Sequence, residues 1–251
     1  MLRRPRIIPR LAVKGSNVIV TVNLEGLRVV GKPADLAKRY AEDADEILFL
    51  DAVASLYGRN QLESLIEETC ESVFVPITVG GGISSCGAVR SLMRSGADKI
   101  SINTAAIRTP DLITRIADQA GCQAVVVSIE AKRTLHGWEA YTENGRQRTG
   151  KDAVAWAHEA VRLGAGELLI TSVDREGMRR GCDLDLIRAI APNVPVPVVA
   201  HGGIGSAEDV RAVAALGACA ALSSALHTGA ASVQGIRESL IFPALPSSIC
   251  E

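Results

Sequence analysis

The sequence predicts a closed (β/α)8 barrel. Short apolar runs alternate with longer amphipathic stretches along the 251 residues. A block near residue 80 recurs near residue 200, and glycine clusters stand where strands give way to helices. Eight strand candidates in one unbroken series argue for parallel pairing. No Pro/Gly/Ser-rich linker divides the chain, so residues 1–251 read as one barrel domain, with a doubly wound open sheet as the structural alternative.

The strand candidates are Arg6–Val13, Glu46–Asp51, Pro76–Val79, Lys99–Ile102, Gln123–Ile129, Glu167–Ser172, Val196–Ala200 and Cys219–Ser223. Each is four to eight residues long and rich in Val, Ile, Leu or Ala, as a strand buried on both faces requires. Between them, Pro33–Asp43, Leu62–Cys70, Cys86–Ser95, Pro110–Ala120, Asp152–Leu163, Asp183–Ala191 and Ala207–Leu216 carry helical spacing. Two longer insertions follow the first and fifth strands, at Lys14–Gly31 and Arg133–Thr149. In the second, Asn144-Gly145 between alternating residues is a hairpin signal. A barrel places both insertions on its C-terminal, active face.

Thr78-Val-Gly-Gly-Gly-Ile83 matches Val199-Ala-His-Gly-Gly-Ile204 at an offset of 121 residues. The same offset relates Gly96-Ala97 to Gly217-Ala218, Asn103-Thr104 to Ser224-Ala225, and Glu46 to Glu167. Two similar half-barrels produce such a repeat, and they predict paired sites. Gly80–Gly82 and Gly202-Gly203 let the backbone approach a ligand closely, and the next strands end in the small polar residues Asn103-Thr104 and Ser223-Ser224. Each half thus offers a phosphate cradle, and a ligand with a phosphate at each end would span the mouth.

Period-two alternation aligns Arg6 with Ile8, Arg10 and Ala12, Glu46 with Leu48 and Leu50, Lys99 with Ser101 and Asn103, and Glu167 with Leu169 and Thr171. If these positions face inward, two cations and two anions meet on the barrel floor and must pair. They are read as a salt-bridge ring or as a gate on an axial passage. Arg10 then enters the interior and needs an anion, either Glu130 or a substrate carboxylate. Glu130 ends the fifth strand, where a carboxylate can serve as general acid or base. Asp51, Asp174 and Glu176 also lie at strand ends, Thr171 is placed for hydrogen bonding, and His201 reads as a hydrogen-bonded loop residue.

With 27 basic and 28 acidic residues the net charge is -1, which leaves no electrostatic footprint for nucleic acid or an acidic membrane. No apolar run reaches membrane-spanning length, and the basic start lacks the apolar stretch of a signal peptide. Six scattered cysteines (70, 86, 122, 182, 219 and 250) form no C-x-x-C pair. A reduced, cytoplasmic protein without disulfides, metal or cofactor is expected.

These residues resemble the cyclase subunit of imidazole glycerol phosphate synthase, the histidine-biosynthetic barrel that works with a glutaminase. The likeness runs from Arg6 to about His227. It is carried by Ile77–Ile83, Gly96–Ala106, Gln123–Val127, Ala131-Lys132 and Thr171–Arg175. The resemblance implies phosphate sites at Gly82, Asn103 and Thr104 in one half and at Gly177, Gly203 and Ser224 in the other. It also implies an ammonia gate of Arg6, Glu46, Lys99 and Glu167 above a docked glutaminase, with Asp98 at the partner interface.

The catalytic positions depart from that pattern. Ala12 stands where the family has a first-strand aspartate, and Glu130 replaces a second. Val20 falls where a mobile-loop lysine is expected, and Met178 replaces a threonine after Gly177. The resemblance therefore implies a diverged subunit that relays ammonia from its glutaminase partner to another phosphorylated or nucleotide-sugar acceptor. Amidination of surface polysaccharide precursors, completed by a third, ligase-like protein, is the expected setting. A working cyclase and a non-catalytic scaffold that activates a glutaminase are the alternatives. The tail Phe242–Glu251 departs from the family pattern.

Overall fold

A computed structural model describes residues 4–52 and 62–241, and the tail lies outside them. The strands are β1 (Ile7–Lys14), β2 (Asn17–Val22), β3 (Glu25–Gly31), β4 (Ile47–Asp51), β5 (Ile77–Gly80) and β6 (Lys99–Ile102), followed by β7 (Val125–Thr134), β8 (Gly137–Thr142), β9 (Gln147–Asp152), β10 (Glu167–Ser172), β11 (Val198–His201) and β12 (Cys219–Leu222). Eight of them pair in parallel in the order β1-β4-β5-β6-β7-β10-β11-β12, and β12 returns to β1, so the sheet closes. This is the expected (β/α)8 barrel, and closure leaves no free parallel edge.

Alternation sorts the strand side chains into two cores. Ile8, Leu48, Val126, Leu169, Val199 and Ala221 meet inside the barrel. The residues between them, such as Ile7, Phe49, Val127 and Leu168, point outward into the main core beneath the helices. Helix Asp111–Ala120 shows how a helix joins that core: Leu112, Ile113 and Ile116 share one buried face, and Gly121 ends the helix at a φ of 88°.

The repeat is visible in the helix starts. Ser85 and Ser206, 121 residues apart, cap helices Cys86–Arg94 and Ala207–Ala215 by accepting the backbone N–H three residues on. Short helices Thr104–Arg108 and Ser224–His227 follow the two small polar strand ends. Sequence periodicity missed both, because four or five residues are too few to carry a helical pattern.

Three local expectations are corrected. Gln123 and Ala124 form a 3-10 turn before β7, because Gly121 turns the chain there. β7 continues past Ile129 to Thr134 and pairs antiparallel with β8, which forms the expected Asn144-Gly145 hairpin with β9. Lys14–Gly31 is also a hairpin rather than a loop, with β2 paired to both β1 and β3.

Backbone approaches are close where β10 begins. Gly166 donates its N–H to the Val125 carbonyl at 3.0 Å, and a Cβ there would lie 2.1 Å from the Cys122 carbonyl oxygen. Gly166→Ala should therefore force the chain apart just before Glu167, at a cost of about 2 kcal/mol. Thermal unfolding should show Tm lower by roughly 4–8 °C; an unchanged Tm would contradict this packing.

Candidate active site

The floor of the barrel carries the four predicted charges. Glu46 and Glu167 are each almost fully buried, and both are shared between the same two cations. Arg6 Nη1 donates to Glu46 at 2.8 Å, and Arg6 Nη2 donates to Glu167. Lys99 Nζ donates to both carboxylates at 2.7 Å. Thr78 Oγ1 supplies a further hydrogen bond to Glu46 at 2.5 Å. The ring is neutral, and each carboxylate binds more than one donor, which is the condition for burying charge without a large penalty. Burial opposes the charge on Arg6, but the hydrogen bond and charge of Glu167 more than offset it and raise its pKa.

Asp98 lies beside this floor and is exposed, and its carboxylate accepts the Ile77 N–H at 2.8 Å. Asp45 accepts the Ile7 N–H at 2.7 Å in the same manner. These carboxylates tie down strand starts whose N–H groups face away from the sheet ladder.

The opposite end holds a cavity of about 340 Å³. Its wall includes Gly82, Asn103 and Thr104, with Ser101, Ser128 and Glu130 toward the axis. Arg108 and Arg115 also line it, a cationic contribution that strand-end reasoning missed because both sit on helices. A smaller depression gathers Gly177, Gly203 and Ser224 with Arg179 and His201. The two expected cradles therefore each come together, one per half. Gly177 must be glycine, because a Cβ there would lie 2.2 Å from the Thr21 carbonyl oxygen.

Glu130 is half-buried and points into the mouth, level with Thr171 on β10. It accepts the Gly145 N–H at 2.7 Å, a contact made possible by the left-handed turn at Glu143, Asn144 and Gly145. Burial pushes its carboxyl up to about 7, against the opposing Gly145 hydrogen bond and the charge of Arg10. Such a group is half protonated near neutrality and can give or take a proton.

Four expectations about the mouth change. Arg10 is buried inside the barrel as predicted but does not pair with Glu130, and its Nε and Nη1 make no hydrogen bond. His201 is not a loop residue: it ends β11, buried, with Nδ1 unpartnered. Glu176 is not free for chemistry. Its oxygens accept from Thr21 Oγ1 at 2.9 Å and from the Leu24 N–H at 2.8 Å, so it holds the β2–β3 hairpin. Asp174 likewise accepts the Arg133 N–H at 2.7 Å. Ala12 is buried on the inward face of β1 and offers no acid.

Comparison with known proteins identifies the kinship of this barrel. The family model described as "Histidine biosynthesis protein" matches residues 6–232. The chain belongs to the HisF family. An "Imidazole glycerol phosphate synthase subunit HisF" from Legionella pneumophila is 53% identical over 206 residues, 81% of this chain and 97% of the relative. Subunits of the same name from Myxococcus xanthus and a Synechococcus species are 49% and 46% identical, each over 94% of this chain and 94–95% of theirs. Among the described residues no helix is long and apolar enough to cross a membrane, and no group of His, Cys, Asp and Glu can hold a metal.

The raised pKa of Glu130 makes a stability prediction. A carboxyl that titrates near 7 when folded and near 4.5 when unfolded favours folding below about 4.5, and this contribution is lost as pH rises through 7. The stability of Glu130→Gln relative to the parent should therefore increase between pH 4.5 and 7, toward about 3 kcal/mol, and then level off. Urea unfolding at several pH values checks it; a pH-independent difference would contradict the buried, protonated carboxyl.

Proposed function

We propose that this HisF-family barrel is the synthase-type subunit of a glutamine amidotransferase complex. It receives ammonia from a docked glutaminase through the charged floor and delivers it to a phosphorylated acceptor other than the cyclase substrate. The contrast between the two ends of the barrel carries this reading. At the floor, Arg6, Glu46, Lys99 and Glu167 form a complete, neutral ring around the axis, with Asp98 exposed beside it. At the mouth, Ala12 supplies no acid, Glu176 is engaged in the hairpin, and an arginine occupies the interior.

Each half gathers a glycine turn and small polar residues around one pocket, which favours a ligand bearing a phosphate or diphosphate over a scaffold with no ligand. A nucleotide-activated sugar destined for a surface polysaccharide fits that class, with a third, ligase-like protein completing the transfer. The relatives' names point instead to imidazole glycerol phosphate synthesis, and one observation favours that second reading. Glu130, near 7, can work as acid or base without a partner carboxylate.

Docking and relay are tested with a reconstituted pair. Adding the barrel to its glutaminase should raise glutamine hydrolysis by about tenfold or more, a coupling of about 1–3 kcal/mol. Asp98→Ala should abolish that gain by weakening the complex. A glutaminase rate indifferent to the barrel would refute the proposal.

A further inference from the structure

The interior of the barrel changes character above its apolar layer. Ile8, Leu48, Val126, Leu169, Val199 and Ala221 fill the cross-section. One step higher on β1, Arg10 enters a space walled by polar side chains. His201 is level with Thr171, which is level with Glu130, and all three belong to inward-facing positions. Ser101 faces inward from β6.

This layer holds an unusual set of unsatisfied groups. Arg10 is 4% exposed, yet its Nε and Nη1 have no hydrogen-bond partner. His201 Nδ1 and Ser101 Oγ are also buried and unpartnered. A buried guanidinium without partners is costly, and a fold retains one only where something offsets the cost. Among the described residues no acidic side chain hydrogen-bonds to Arg10 Nε or Nη1. Glu130 is bound by Gly145, and Glu176 is bound by Thr21 and Leu24. The strand itself is fixed at this point, because His227 Nε2 donates to the Arg10 carbonyl at 3.0 Å.

We infer that Arg10, with His201 beside it, is a binding site for a carboxylate carried by the acceptor. The site adjoins the two phosphate cradles and shares His201 with the smaller one. This inference rests on the reading that the mouth takes a ligand other than the cyclase substrate. A carboxylate suits the place better than a phosphate. The charges of Glu130 and Glu176 both act on Arg10, so a dianion would be repelled about twice as strongly as a monoanion. Burial and the charge of Arg10 hold His201 neutral, and a neutral imidazole can donate one hydrogen bond to a carboxylate oxygen. Access is short: Leu50, which lines the larger cavity, pairs with Ala12, and only a methyl group stands above Arg10 on that strand.

The test uses the full chain alone, so it is independent of any glutaminase or ammonia transfer. Propionate, a monoanion, is titrated calorimetrically into the parent, Arg10→Met and Arg10→Gln, with neutral propionamide and inorganic phosphate in parallel. The parent should bind propionate but not propionamide. Both variants should bind propionate about tenfold or more weakly, the loss of one charge-assisted contact, while phosphate binding is retained. Arg10→Met should also be at least as thermally stable as the parent, because it removes an unpaired buried charge. Equal propionate affinity in parent and variants, no saturable propionate binding by the parent, or unfolding of both variants would overturn the inference. The last outcome would make Arg10 a structural cation.

Discussion

The neutral ring of Arg6, Glu46, Lys99 and Glu167 is the interaction on which this barrel depends. Its members come from the starts of β1, β4, β6 and β10, and so it ties both half-barrels together around one axis. Two carboxylates buried this deeply are tolerated only because each is held by both cations and Glu46 also by Thr78. Anchoring the floor sets the phase of every strand above it. Ile8, Leu48 and Leu169 must then face inward, and the third layer must receive residues 10, 50 and 171. Interior placement of Arg10 is therefore a direct consequence of pairing Arg6.

Much of this was readable in the chain because a strand's period of two leaves little choice. Once Arg6, Glu46, Lys99 and Glu167 are required to meet, the facing of their strands follows, and the 121-residue repeat places the glycine turns and small polar strand ends in pairs. The Asn144-Gly145 hairpin was legible for the same local reason: its turn residues accept positive φ.

Long-range partners were not legible. The β2–β3 hairpin turns at Asn23 and Leu24, both with positive φ, and leucine there advertises no turn. That turn is held by Glu176, 152 residues away, which accepts the Leu24 N–H, while the Glu176 carbonyl accepts from Asn23. From sequence Glu176 is a carboxylate at a strand end; in the fold it holds Thr21 and the hairpin backbone. Glu130 shows the converse. Its position at the strand end was plain, but its raised pKa comes from burial beside the β8–β9 turn, which only the folded hairpin provides.

The floor of this barrel pairs every one of its charges, and the mouth does not. Ala12 brings no acid, Glu130 is a proton-exchanging carboxyl, and Arg10 is a buried cation without a hydrogen-bond partner. The most direct measurement is formation of imidazole glycerol phosphate from the cyclase substrate of the relatives, driven by ammonium salt so that no glutaminase is needed. A folded barrel that gives no turnover of that substrate is the expected result. Turnover at an ordinary enzymatic rate would contradict the account and make Glu130 sufficient for the cyclase reaction.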